Sequence, residues 1–464
     1  MQNIKNLFER QTAKLIIDKA ISKVKANPED GMMDLLSYAE KLHVFQDATF
    51  ESAKQIIQDP QNKWTRLAKS LICDTHPNVL RMNLLNAGYQ AGLYGSKIQR
   101  KIRKKLNTNV PWTILFDPTS ACNLKCVGCW AAEYGHQLNL SYAEMDNLIT
   151  QGKEIGTYFY LLTGGEPLTR KRDILKLAEK HHQCAFHIFT NGTLIDEEFC
   201  QEVQRLGNLT FALSLEGFED ENDLRRGQGV FQRVSHSMEL MKEYGLIFGA
   251  AICYTSANYK TVTSDEFLEY IIEKGARLAW YFHYMPVGVD AEPKLMLNPA
   301  QRETMIRRIR YLRSEKGNHP IALIDFQNDG QFINGCIAGG KDYLHINANG
   351  DVEPCVFIHY STANIRTHTL KEALAQPLFM AYRARQPFNS NHFRPCPMLE
   401  NPEILRKMVK ESGAKSTDLI QEESVEHLCS KCDLYAAQWK NKSEELWKIY
   451  GNHTETEDFM KKIS

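Results

Sequence analysis

Residues 112–130 read WTILFDPTSACNLKCVGCW, a short apolar run with the character of a strand that leads into a loop holding three cysteines. Cys122, Cys126 and Cys129 stand in a C-x3-C-x2-C arrangement. Spacings of four and three would also align buried thiols on one helix face, but three thiols within eight residues make chance an unattractive explanation. Soft thiolates at this spacing suit iron–sulfur or zinc. A closed zinc site takes four ligands, and no fourth lies close by in the sequence.

Working outward, five more apolar runs alternate with helical segments: YFYLLTGG, FHIFTNG, LTFALSLEG, FGAAICYT and LAWYFHYMPVG. Six strand–helix alternations predict a parallel α/β sheet, open or curled into a partial barrel. The cysteine loop then lies at the C-terminal end of the first strand, on the face where such barrels carry their active sites. Upstream, stretches such as LLSYAEKLHVF and FESAKQIIQD have helical periodicity, with Pro60 and Pro77 as breaks and no strand pattern. Downstream, KDYLHINANGDVEPCVFI reads as a hairpin turning at Asn349-Gly350, and the chain after Pro397 is charged and helical. The expected division is a helical region at 1–106, a barrel at 107–320 and a cysteine-rich C-terminal domain at 321–464.

The 464 residues carry 56 Lys+Arg and 56 Asp+Glu, so any electrostatic preference for nucleic acid or membrane must be local. The N-terminus has no basic-then-apolar signal pattern, and nowhere do roughly 18 apolar residues run together. A cytoplasmic protein is expected, in which twelve cysteines are metal ligands and buried thiols rather than disulfides. Cys73, Cys184, Cys200 and Cys253 sit singly in apolar segments and read as core thiols. One local bias exists: SKIQRKIRKKL places six basic residues at positions 97–105. It reads either as a solvated helix face or as a peripheral membrane contact. Nucleic acid is disfavoured, because no aromatic interleaving accompanies the patch. GCIAGGKD, at 335–342, is a near miss to a phosphate loop, rejected because Asp342 stands where Ser or Thr must reach magnesium.

The cysteine spacing after a first strand resembles the radical S-adenosylmethionine (SAM) superfamily over roughly residues 112–290. The resemblance implies a partial (β/α)6 barrel in which three thiolates hold a [4Fe-4S] cluster and leave one iron open to SAM. Reductive cleavage of SAM would give a 5′-deoxyadenosyl radical that abstracts a substrate hydrogen. Gly164, Gly165 and Glu166 look like the family's GGEP motif, with Glu166 facing the methionine ammonium. Asn191 closes the third strand. Ser214, in SLEG, is similar to the family's S-x-D-G and would contact ribose, with Glu216 replacing the usual aspartate. Arg226 matches the arginine that pairs with the SAM carboxylate, and Arg225 is the alternative. Many members carry an aromatic residue directly before the third cysteine, where this chain has Gly128. Trp130 is the expected substitute.

Cys336, Gly350 and Cys355 form a C-x13-G-x4-C opening similar to the SPASM and twitch auxiliary-cluster domains. With the distal Cys429 and Cys432, the resemblance implies one auxiliary [4Fe-4S] cluster held by Cys336, Cys355, Cys429 and Cys432, with Cys396 as a spare, substrate-side or substitute ligand. The alternative is a structural zinc knot using His427. An external one-electron reductant of flavodoxin or ferredoxin type is implied. The substrate would be a peptide or protein, a lipid or a small molecule; no catalytic side chain is assigned. The helical N-terminus lacks the strand-plus-helix module with which many peptide-modifying members hold leader peptides. Two other readings stand beside this one: a non-catalytic iron–sulfur electron carrier and a zinc-binding interaction module.

Overall fold

The computed structural model describes residues 2–41, 47–288 and 291–451. The predicted helical stretch LLSYAEKLHVF lies partly outside these residues, as does the C-terminal end of the third region. Six strands correspond to the six apolar runs: β1 (Thr113–Phe116), β2 (Phe159–Leu162), β3 (Ala185–Thr190), β4 (Leu209–Ser214), β5 (Phe248–Tyr254) and β6 (Leu278–His283). They pair in parallel, in chain order. Two further parallel strands flank them, β7 (Ala322–Asp325) beside β6 and β8 (Tyr343–Ile346) beside β1. β8 is the first arm of the expected hairpin and turns back antiparallel as β9 (Val352–Glu353), with Gly350 at φ 83°.

Alternation along the strands sorts the side chains into two cores. Ile114, Phe116, Tyr160, Leu162, Phe186 and Ile188 face outward into one cluster under the helices. Leu115 and Leu161, one residue out of phase, face inward and join a second cluster shared with the C-terminal region. The sheet curls about a cavity of about 390 Å³ whose wall takes residues from β1 through β6 and from β8. Four of the helices that return the chain between strands begin at side-chain caps, at Ser141, Asp196, Ser264 and Asn298.

The N-terminal quarter is helical, as expected, and breaks at the two prolines: Asp47–Gln58 ends before Pro60, and Pro77 opens Pro77–Asn83. A π-helical stretch, Leu84–Gly95, then leads into the basic helix Ser96–Leu106. This region covers the N-terminal end of the barrel, opposite the cysteine loop. Its amides satisfy carbonyls that the helix-to-strand turns leave open. Asn86 Nδ2 donates to His182 O and Cys184 O (both 2.9 Å), Asn83 Nδ2 to Gly207 O (3.0 Å) and Gln99 Nε2 to Gly156 O (3.0 Å). No helix among the described residues is long and apolar enough to cross a membrane.

Candidate active site at the cysteine-loop face

Cys122, Cys126 and Cys129 all line the barrel cavity. Their loop is held against the glycine turn that follows β2: Gly165 N donates to Thr119 O (3.0 Å) and Glu166 N to Ala121 O (2.7 Å). Gly164, at φ 110°, and Gly165 are demanded by this approach, since a Cβ would come within 2.4 Å of Thr119 O at the first and 2.2 Å of Ala121 O at the second. The glycines therefore serve the cysteine loop itself. Burial pushes the free Cys122 thiol up to about 11. An electropositive partner is needed to hold it as thiolate.

Glu166 is 1% exposed and lines the same wall. Its carboxylate accepts from Leu168 N (2.9 Å), Thr190 Oγ1 (2.6 Å) and Asn191 N (2.7 Å). Burial raises its pKa, and these donors oppose the rise. Asn191 is tied to the cysteine loop through its Nδ2, which donates to Asn123 Oδ1 (2.8 Å). Ser214 reaches the cavity from the end of β4.

Glu216 has a definite task in this chain. Its buried carboxylate receives Arg225 Nη1 (2.6 Å), Arg226 Nε (3.0 Å) and the amide of Cys253 (3.1 Å). Both guanidinium groups line the cavity, and Arg226 Nη1 stands 3.9 Å from Cys126 Sγ.

Gly128, at φ 64°, explains the departure before the third cysteine. A Cβ there would lie 2.6 Å from the ring of Tyr284, so Tyr284, from the segment after β6, occupies the space a side chain at 128 would need. Sequence reasoning missed Tyr284; the only signal was its place in HYMPVG at a strand end. Trp130 lines the cavity too, but its ring meets Tyr134, His345, Phe357 and His359 edge-on. Behind it, His345 is sandwiched between Asp117 (3.0 Å) and Glu353 (2.6 Å). Burial works against charge on His345, yet Asp117 and then Glu353 outweigh it and hold its pKa up at about 10. This network pins Trp130 between the barrel and the C-terminal region.

The expectation of four core thiols needs correction. Cys184 and Cys200 are buried, but Cys73 is exposed. Cys253 lines the cavity, because it occupies the inward phase of β5 between Ile252 and Tyr254 of the outer core.

In the C-terminal region, Cys429 and Cys432 lie one turn apart on the helix Val425–Tyr450 and are fully buried. They pack in one apolar cluster with Cys336, Cys355 and Cys396. Burial first, then Cys336, Cys355, Cys396 and Cys429, raises the Tyr382 hydroxyl among them. Cys396, expected as a spare, thus sits in the same pack. Tyr343, which lines the barrel cavity, donates its hydroxyl to Cys355 Sγ (2.6 Å). His427, the ligand of the zinc alternative, is half exposed and pairs with Glu423 (2.6 Å). No three His, Cys, Asp or Glu side chains among the described residues converge on a point that would suit a single metal ion.

Comparison with known proteins finds the radical SAM superfamily over residues 116–272 and an iron–sulfur cluster-binding domain, SPASM, over residues 336–398. The chain is 25% identical over 292 residues to an AdoMet-dependent heme synthase of Methanosarcina barkeri (strain Fusaro / DSM 804), covering 57% of this chain and 82% of the relative. It is 28% identical over 231 residues to an Fe-coproporphyrin III synthase of the same organism, covering 47% and 57%. Among solved structures, Streptococcus suis SuiB bound to S-adenosylmethionine superposes with a TM-score of 0.56 at 20% identity, covering 74% of this chain and 82% of SuiB. SuiB has also been solved bound to its precursor peptide SuiA.

Proposed function

Because the chain carries the domain of the radical SAM superfamily followed by an iron–sulfur SPASM domain, we propose that this enzyme abstracts a hydrogen atom from a substrate held in the barrel cavity. When bound, the [4Fe-4S] cluster and SAM supply a 5′-deoxyadenosyl radical, using an electron from an external reductant of flavodoxin or ferredoxin type. The observation that carries this reading is the shared wall: three thiols, a buried carboxylate and two clamped guanidinium groups line one cavity. The donors fit the groups they would hold. Cys122, Cys126 and Cys129 are soft ligands for iron, Glu166 suits the methionine ammonium, and Arg226 suits the carboxylate. Glu216 is the positioning residue that aims Arg226. Ser214 and Asn191 suit the ribose side, and Tyr284 joins Trp130 as an aromatic surface for adenine. The proposed setting is the cytoplasm, whose reducing conditions keep the thiols available.

Anaerobically reconstituted protein given SAM and dithionite should release 5′-deoxyadenosine. The electron-carrier reading requires none, and the zinc-module reading requires zinc without iron–sulfur absorbance. Affinity for SAM should fall about tenfold or more in Arg226→Ala, since a hydrogen bond to a charged group contributes about 1.5–3 kcal/mol. Glu216→Gln should weaken binding less, by releasing the guanidinium without removing it. Equilibrium dialysis with labelled SAM reads both, and an unchanged Arg226→Ala moves the role to Arg225.

For the auxiliary cluster we propose Cys336, Cys355, Cys429 and Cys432. Its place in the mechanism would be to ligate substrate or remove the second electron, with Tyr343 lying between Cys355 and the cavity. Replacing Cys336 or Cys429 with Ala should remove about one four-iron complement, as a cubane takes four protein thiolates, while Cys396→Ala should keep it. Iron analysis of folded variants decides, and the reverse pattern brings Cys396 into the ligand set. The relatives are named for heme synthesis and, in SuiB, for a bound precursor peptide. The substrate here is a peptide, a small molecule or a lipid, and a peripheral membrane contact through residues 97–105 belongs with the last.

A further inference from the structure

The cavity wall combines two kinds of surface. Polar groups gather around the cysteine loop, and the strands add an aromatic and aliphatic patch to the same wall: Leu115, Leu161, Phe189, Trp280, Phe282 and Phe326. Trp280 stacks on Phe282 (centroids 5.6 Å apart), with Phe189 packed against both and Phe326 against Phe282. Among the described residues, the only arginines of the lining, Arg225 and Arg226, are held by Glu216 beside the cysteine loop, away from the aromatic patch, and no lysine joins them. His283 is neutral, because burial and then Arg302 press its pKa to about 3. A phosphate or carboxylate in the aromatic half would therefore lose its water and find no partner, whereas a hydrocarbon chain would be stabilised there.

Trp112 and Asp342, just before β1 and β8, also line this cavity, so its wall reaches the N-terminal end of the barrel. The basic helix is fastened to the neighbouring backbone: Arg103 Nη2 donates to Val110 O (2.6 Å) and to Lys341 O (3.0 Å). Its outer face presents Lys97, Arg100, Lys101, Lys104 and Lys105, all exposed. None of the five pairs with a carboxylate among the described residues. Leu93, one turn earlier, is 41% exposed, and Leu84 on the same π-helical stretch is 40% exposed. Unneutralised cations beside exposed leucines match the anionic headgroups and acyl boundary of a bilayer.

Resting on the reading of this chain as a radical SAM enzyme, we infer that the basic floor of the barrel docks on an anionic membrane and that the aromatic cavity receives the hydrocarbon chain of a lipid. One hydrogen atom passes from a C–H of the chain to the 5′ carbon of the deoxyadenosyl group, leaving a carbon radical on the chain.

The full-length protein should co-sediment with dioleoylphosphatidylglycerol vesicles and not with phosphatidylcholine vesicles, and salt should release it. The combined variant Lys97→Glu, Lys101→Glu, Lys104→Glu and Lys105→Glu should lose about tenfold or more of this binding. Its 5′-deoxyadenosine formation from SAM and dithionite without lipid should be unchanged, as none of the four touches the cavity. With phosphatidylglycerol bearing perdeuterated acyl chains, the 5′-deoxyadenosine formed by the wild type should carry deuterium. Binding indifferent to headgroup charge, tighter binding to a transfer RNA probe than to the vesicles, or 5′-deoxyadenosine without deuterium overturns the inference. Absence of 5′-deoxyadenosine under every condition instead overturns the enzyme reading, and vesicle binding is measured independently of it.

Discussion

Replacing Cys122, Cys126 or Cys129 with Ala should reduce 5′-deoxyadenosine formation to background in all three variants. The three thiols stand on one loop at one wall of the cavity, and a cluster short of a thiolate is lost or cannot present an open iron to SAM. Neighbouring groups cannot substitute: Glu166 is engaged by three donors, and Cys253, though on the same cavity, is carried by β5. Cys73→Ala is the matched control, because Cys73 is exposed and lies on the opposite side of the fold from the loop, on the helix Lys63–Asp74. It should retain full cleavage. The auxiliary iron should survive in all three variants, so iron should fall by one cluster rather than to zero. Retained cleavage in any of the three removes the assignment of the loop.

Arg302→Ala should cost about 3–5 kcal/mol of stability, the range for breaking a buried ion pair by removing one partner. Arg302 and Glu400 are both fully buried, 2.7 Å apart. The guanidinium also donates to Asn328 Oδ1 (2.8 Å) and Tyr435 OH (3.0 Å) and lies over the Trp439 ring at 4.3 Å. It therefore joins the helix Pro299–Arg313 to the C-terminal helix. Without it, the Glu400 carboxylate stays in an apolar surround. Burial already raises the Glu400 pKa above its ordinary 4.5, against the pull of Arg302. A carboxyl raised in the folded state favours folding most below its unfolded pKa and loses that contribution as pH rises through the folded value. The deficit of Arg302→Ala should thus be smallest in acid and grow toward neutral pH. Chemical unfolding at two pH values measures it, and Arg302→Met with Glu400→Gln should recover most of the loss by removing both charges. The Cys396 amide donates to Glu400 Oε2 (2.8 Å), so the single variant should also loosen the loop around Cys396.

Local patterns carried much of the fold. The six apolar runs became β1 to β6, Asn349-Gly350 turned the hairpin, and Pro60 and Pro77 marked helix boundaries. Each rests on backbone preferences acting within a few residues. β7 escaped notice although ALID is no shorter than the strand parts of β1 and β2. β8 was read as a hairpin arm, but that it extends the barrel sheet beside β1 depends on a partner 230 residues earlier (Thr113↔Tyr343).

The sequence by itself determined the spacing of the three thiols and the order of the motifs around them, since thiol spacing and glycine placement are properties of a short stretch of chain. Only the tertiary structure decided what shares a wall with that loop. Tyr284 fills the space over Gly128, Glu216 clamps two arginines, Cys253 faces inward and Cys396 packs in the same apolar cluster as the other four C-terminal cysteines. Apart from the Glu216 clamp, which spans nine and ten residues, these placements depend on strand register and on the curl of the sheet, which bring together residues far apart in the chain, and no local periodicity records those separations.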